Sequence, residues 1–159
     1  MNRKIKFRGK GIEEYDKGKW YYGSYFIYNA INYFCLDDGS RTKEINEKIK
    51  NNIKHKIIFE VQGDLNMENY IKLADVNPET VGQYTGLYDK NGKEIYEGDI
   101  VKVDNIDLAI IYFDDDRMAW GIKPINDFYF DSPLLSENIS LELRAIGNIY
   151  DNPELSGGE

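Results

Sequence analysis

The chain has 159 residues, 20 Lys+Arg against 28 Asp+Glu for a net charge of -8, and 42% hydrophobic with 30% charged residues, which suits one globular domain or two small ones and excludes a disordered segment. No apolar run approaches the roughly 20 residues of a membrane-crossing helix, and the basic start Met1–Arg8 has no apolar stretch behind it, so neither a span nor a signal peptide is read. A single cysteine, Cys35, excludes an intrachain disulfide and a Cys/His zinc cluster, and fits a reducing, cytoplasmic setting.

The aromatic content, 13 Tyr, 7 Phe and 2 Trp, favours pleated, half-buried surfaces and leans the fold towards β structure. Ile5 to Arg8 reads as a short strand, and Gly9 to Lys19 as a polar loop. Trp20 to Tyr28 is a second strand, and Ile31 to Leu36, which holds Cys35, a third. Thr42 to His55 is rich in Lys, Asn and Glu. Its Ile45, Ile49 and Ile53 are spaced by four, so it reads either as a helix with one narrow apolar stripe or as a mobile insertion. Lys56 to Val61 and Asn69 to Ala74 are further strands.

The segment from Asn77 to Val101 is the most informative. Asn77-Pro78-Glu79 has an N-cap, a proline at the first helical position and an acid in the first turn. Gln83 to Leu87 and Glu94 to Tyr96 are strands joined by the turn Asp89-Lys90-Asn91-Gly92, with Asn-Gly supplying positive φ. Gly98 allows a sharp turn into a strand at Ile100 to Val103. Ile106 to Phe113, the turn Asp114-Asp115-Asp116, Met118 to Ile122 and Leu141 to Tyr150 follow, with one helical turn predicted from Ser132. Short, closely spaced strands with polar turns suggest a small, strongly bent β barrel. Leu155 to Glu159 reads as a free tail.

Candidates for chemistry are few. His55, the only histidine, sits between Lys54 and Lys56 and reads as solvated rather than catalytic. Asp104, Asp107 and Asp114 to Asp116 could hold a divalent ion, but neighbouring acids on a strand alternate faces, and the plainer reading is a solvated turn. No glycine-rich phosphate or dinucleotide pattern occurs. No catalytic residue, metal site or cofactor is assigned.

Charge is unevenly spread, with residues 1–59 at +6 and residues 60–159 at -14. This either draws the two halves together or marks a surface for a partner. Arg3, Lys4, Lys6, Arg8, Trp20 and Tyr21 form the candidate interaction surface: alternating cations with aromatic residues nearby, a pattern that suits nucleic acid and also guards an edge strand.

The stretches Pro78 to Leu87, Asp89 to Val101 and Ile146 to Leu155, with Ile5-Lys6-Phe7-Arg8 and Trp20-Tyr21-Tyr22-Gly23, resemble the YopX family of phage and prophage proteins. The resemblance implies an SH3-like β barrel in the C-terminal part, a phage or prophage origin in a bacterial cytoplasm, and no catalytic residue that can be carried over. The segment 42–55 departs from the family as an insertion.

The expected fold is mainly β: an N-terminal β-rich part at 1–75, packed on a C-terminal SH3-like small barrel at 76–155, then a tail at 156–159. The expected function is a non-enzymatic accessory protein that binds a host or phage protein or assembles with itself as a homo-oligomer, with no membrane association. Nucleic-acid binding through the basic N-terminal strand is the weaker alternative.

Overall fold

The computed structural model describes residues 4–29, 47, 50–64, 68–103, 106–125 and 134–157. The fold is mainly β and antiparallel, and the chain forms two compact units, Arg8–Val81 and, from both sides of it in sequence, Met1–Phe7 with Gly82–Glu159.

The first unit is built on β1 (Phe7–Lys10), β2 (Trp20–Asn29), β3 (Ile53–Val61) and β4 (Tyr70–Asp75), in the order β4-β3-β2-β1. Tyr25 stands opposite Ile57, and Ile57 opposite Ala74. Strand alternation therefore puts Tyr21, Tyr25, Ile57, Phe59 and Ala74 on one face. These residues, with Val76, make the core of the unit. Gly11 bridges Val76, and the Asn77 N–H donates to the Lys10 carbonyl at 2.8 Å, so the sheet curls around that core. Close approach needs a glycine at position 23, where a Cβ would stand 1.9 Å from the Ile58 carbonyl oxygen. The helical turn η1 (Pro78–Thr80) follows, with the Asn77 side chain accepting from the Glu79 N–H as its sequence predicts.

Strand β3 opens at Ile53, inside the segment read as a helical stripe. Ile53 and Ile57 are four apart, and an even spacing places two residues on one face of a strand as readily as on one face of a helix. Of that segment Glu47, Lys50 and Asn51 are helical, while residues 42–46, 48 and 49 lie outside the described residues, as does the strand expected at 31–36.

The second unit contains β5 (Gly82–Tyr88) and β6 (Glu94–Tyr96), which pair as a hairpin. A four-stranded antiparallel sheet follows: β7 (Asp99–Val103), β8 (Ile106–Asp114), β9 (Ala119–Pro124) and β10 (Arg144–Asn148), in the order β10-β7-β8-β9. Register stacks Ile111 against Ile122 and Phe113 against Trp120. Ile95, Val101, Ala109, Ile111, Trp120, Ile122 and Leu143 form the core. The helical turn expected to start at Ser132–Leu135 is displaced: Leu134 bridges Gly121, and the turn comes at α1 (Glu137–Ser140), where Ser136 caps it by accepting from the Ile139 N–H. A second turn, η2 (Pro153–Ser156), takes up Leu155 and Ser156, the first residues of the expected tail.

The hairpin turn at 89–93 is built around a buried carboxylate. Asp89 Oδ1 accepts from the N–H groups of Asn91 at 2.8 Å and Lys93 at 2.9 Å, and Oδ2 accepts from Ala145 N–H in β10 at 3.0 Å. Gly92 sits at φ 78°, as expected, while Asn91 keeps a negative φ, so the turn is a type I turn closed by a left-handed glycine rather than one with two positive φ angles. Burial alone would push the Asp89 carboxyl up, but the three N–H donors and the Lys93 ammonium outweigh it and the net shift is downward.

A carboxylate whose folded pKa lies below its unfolded value stabilises fully above the unfolded value and loses that contribution as pH falls through the folded one. Asp89→Asn should therefore lower stability at neutral pH, by on the order of 2 kcal/mol. The gap to the native protein should close as pH drops below about 4. Melting curves that stay parallel down to pH 3 would remove Asp89 as the clamp. Gly92→Val should cost roughly 1–3 kcal/mol, because a β-branched residue is strained at positive φ. An unchanged melting temperature would contradict that turn geometry.

Candidate interaction surface

The residues of the predicted basic surface go to different places, and Arg3 lies outside the described residues. Lys4 and Lys6 belong to the second unit and converge on Glu94, with Lys6 Nζ 2.6 Å from Oε2 and Lys4 Nζ 3.6 Å from Oε1. Burial would push the Glu94 carboxyl up, but hydrogen bonds from Lys6 and the Tyr96 hydroxyl, with the two lysine charges, bring it net down. Arg8 and Trp20 meet in the first unit, the guanidinium carbon 4.9 Å from the ring centroid, with Lys10 Nζ at 5.4 Å from the same ring. Arg8 is only 5% exposed, its charge packed against the indole face. Tyr21, one residue on in β2, points the other way into the core. Its hydroxyl donates to Asp16 Oδ2 at 2.7 Å, and its pKa is pushed up to about 12, first by burial and then by Asp16.

Two other candidates are tied into structure. His55 is not simply solvated. It lies in β3 with Nδ1 hydrogen-bonded to the Tyr25 hydroxyl at 2.5 Å, the two rings stacked 6.0 Å apart. Asp114 caps the β8–β9 turn, Oδ1 accepting from the N–H groups of Asp116 and Arg117. Asp104 and the Asp107 side chain lie outside the described residues. Among the described residues no group of three or more His, Cys, Asp or Glu is placed to hold a metal ion.

What the sequence did not single out is the outer face of β2, β3 and β4. Register brings Ser24, Ile58 and Leu73 into one row, Glu60 and Ile71 into the next, and Phe26, Lys56 and Asp75 into the row on the other side. Ile71 is 69% exposed, Leu73 53% and Tyr22 44%. The result is an apolar patch around the half-buried Ile58, edged by the Lys56–Asp75 ion pair at 2.5 Å and by Glu60.

Alternation in Tyr70-Ile71-Lys72-Leu73-Ala74 would normally send Ile71 and Leu73 inward. The Gly11–Val76 bridge fixes the opposite register, with small Ala74 and Val76 facing the core. That bridge joins residues far apart in sequence. On the face that Ala74 shares with Tyr70 and Lys72, Ala74 alone is buried.

These two antiparallel sheets define a mainly β protein built of two compact units. The chain belongs to the YopX family: the family model described as YopX protein matches residues 35–156, most of its length. Among solved structures it is similar to protein EF1440 from Enterococcus faecalis, at 23% identity and a TM-score of 0.45, over 96% of this chain and 98% of that one. No curated protein matches the chain.

If Arg8 is a packing residue, Arg8→Ala should lower stability by about 1–2 kcal/mol through the lost stacking and stem contacts. A melting temperature equal to that of the native protein would place the guanidinium at the surface instead.

Proposed function

We propose that this protein is a phage- or prophage-encoded accessory protein of the bacterial cytoplasm that works by binding another protein chain, without chemistry of its own. The observation that carries this reading is the outer face of the first unit, where Ile71, Leu73 and Tyr22 stand exposed around Ile58 inside a charged rim. An apolar centre with polar edges is the anatomy of a protein contact, and exposed aliphatic residues gathered on one face signal such a site more strongly than scattered ones. The occupant is a host or phage protein, or a second copy of this chain.

Nucleic-acid binding has less support. Phosphate contacts need accessible cations, whereas Arg8 is buried on Trp20, Lys6 is engaged by Glu94, and the whole chain carries -8. Gel shifts with single- and double-stranded DNA and RNA at low salt should show no complex at micromolar protein.

The test is the double variant Ile71→Lys, Leu73→Lys. Both side chains are solvent-facing, so melting should barely move. Sedimentation velocity reports self-association, and photo-crosslinking from position 22 in host cells reports a partner. Whichever complex the native chain forms should weaken at least tenfold in the variant. A complex of undiminished affinity would remove this face from the account.

A further inference from the structure

We infer that the first unit holds its partner by strand addition: an extended segment of another protein pairs with the free edge of β4 and turns alternate side chains into the cleft beside it. This rests on the reading that the outer face of β2, β3 and β4 is a protein contact, and it assigns the conformation of the partner there. Strand β4 ends the order β4-β3-β2-β1 and has β3 on one side only. Its pairing with β3 runs from Tyr70 to Asp75 without a register shift. A regular edge of that length is a template for a further strand.

Two hydrogen bonds fix which main-chain groups that edge presents. The Val76 N–H donates to the His55 carbonyl of β3 at 2.9 Å, and the Asp75 carbonyl accepts from the Ile12 N–H on the opposite side at 3.2 Å. On an antiparallel strand the N–H and C=O of one residue point to the same side, and successive residues alternate sides. Ala74, Lys72 and Tyr70 therefore bond to β3, while the N–H and C=O of Leu73 and Ile71 point away from it. Ile12 takes only the Asp75 end of the edge. Among the described residues nothing pairs with the Leu73 and Ile71 groups. Two donors and two acceptors are left, repeating at about 6.8 Å, the spacing of alternate residues on a second extended chain.

A cleft of about 700 Å³ borders this edge. Tyr21 and Phe59, their rings 5.0 Å apart, line it from the core, Leu73 from β4, and Tyr15 and Lys19 from the loop between β1 and β2. Alternation puts the Leu73 side chain on the opposite face from Tyr21 and Phe59, so Leu73 meets the cleft with its main chain. A strand laid on the edge would alternate its side chains between the cleft and the outer face, where Ile71 and Leu73 stand exposed. Main-chain bonds then supply affinity, and aromatic walls on one side with aliphatic neighbours on the other select apolar residues. A foreign segment fits this edge better than a second copy. Joining the Ile71 groups to the Leu73 groups of a second copy would set Lys72 directly opposite itself, and like charges so placed destabilise a pair. Chain on both sides of the cleft, β4 and the β1–β2 loop, also makes it a slot for a single strand.

The experiment selects random twelve-residue peptides, displayed on phage, against the full chain, and follows the chain's amides by NMR as a selected peptide is added. At saturation the Ile71 and Leu73 amides should move downfield and exchange with solvent at least tenfold more slowly, while the Lys72 amide, already bonded to β3, changes little. Leu73→Pro removes one edge donor and no bond to β3, so the peptide should bind it at least tenfold more weakly. The amide readout on the native chain decides the matter if that variant does not fold. A library that yields no binding peptide, or binding that leaves both edge amides exchanging as before, would overturn the inference. The double variant Ile71→Lys, Leu73→Lys keeps both edge amides and separates the two readings. A peptide that binds it undiminished and still protects them upholds strand addition and removes the apolar face. A peptide that it loses, with both amides unprotected in the native complex, upholds the face and overturns strand addition. Protection of the two amides on concentrating the chain alone would overturn the foreign segment in favour of a second copy.

Discussion

The second unit depends on one buried charge. Asp89 has two oxygens and spends them on three backbone N–H groups, two within its own turn and one in β10, 56 residues further along. The Lys90 N–H adds a bond to the Leu143 carbonyl beside it. A carboxylate out of water is tolerated only when its lone pairs are met by well-placed donors. Here that requirement ties the β5–β6 hairpin to the strand that closes the sheet. The turn cannot open without leaving the charge unsatisfied, and β10 cannot leave without exposing it.

The remaining signature residues work in the same way at other joints. Asp99 Oδ2 accepts from the Tyr96 N–H at 2.8 Å, holding the turn into β7. Gly98, at φ 77°, donates its N–H to the Ile111 carbonyl and accepts from the Ile149 N–H. Asn148 Oδ1 accepts from the N–H groups of both Tyr150 and Asp151. Each polar side chain replaces a backbone partner that a tight turn would otherwise lack. A motif rich in Asp, Asn and Gly can therefore be highly specific to a family and still hold no reaction centre.

This explains what was legible in the sequence. Local punctuation could be read: the Asn77 cap, the positive φ at Gly92, the sharp turn at Gly98, and the strands on either side all follow from residue type and spacing. Facts that depend on distant pairing could not. Nothing in the stretch around Asp89 names Ala145 as its third donor. Nor does Tyr70 to Ala74 announce that Ile71 and Leu73 face outward, since the register is set by Gly11 and Val76. The basic N-terminal residues looked like one surface because they are contiguous, yet alternation and the Glu94 pairing send them to different neighbours.

A division of labour follows, with polar signature residues holding the scaffold and exposed apolar faces left for contact. Native-state hydrogen exchange on the Asn91, Lys93 and Ala145 amides tests the first half most directly, because all three donate to one carboxylate. The account predicts that they exchange together, as slowly as the central amides of β8 and β9, and that Asp89→Asn releases all three at once. Exchange of the Ala145 amide at the rate of an exposed loop, while the sheet stays protected, would contradict it.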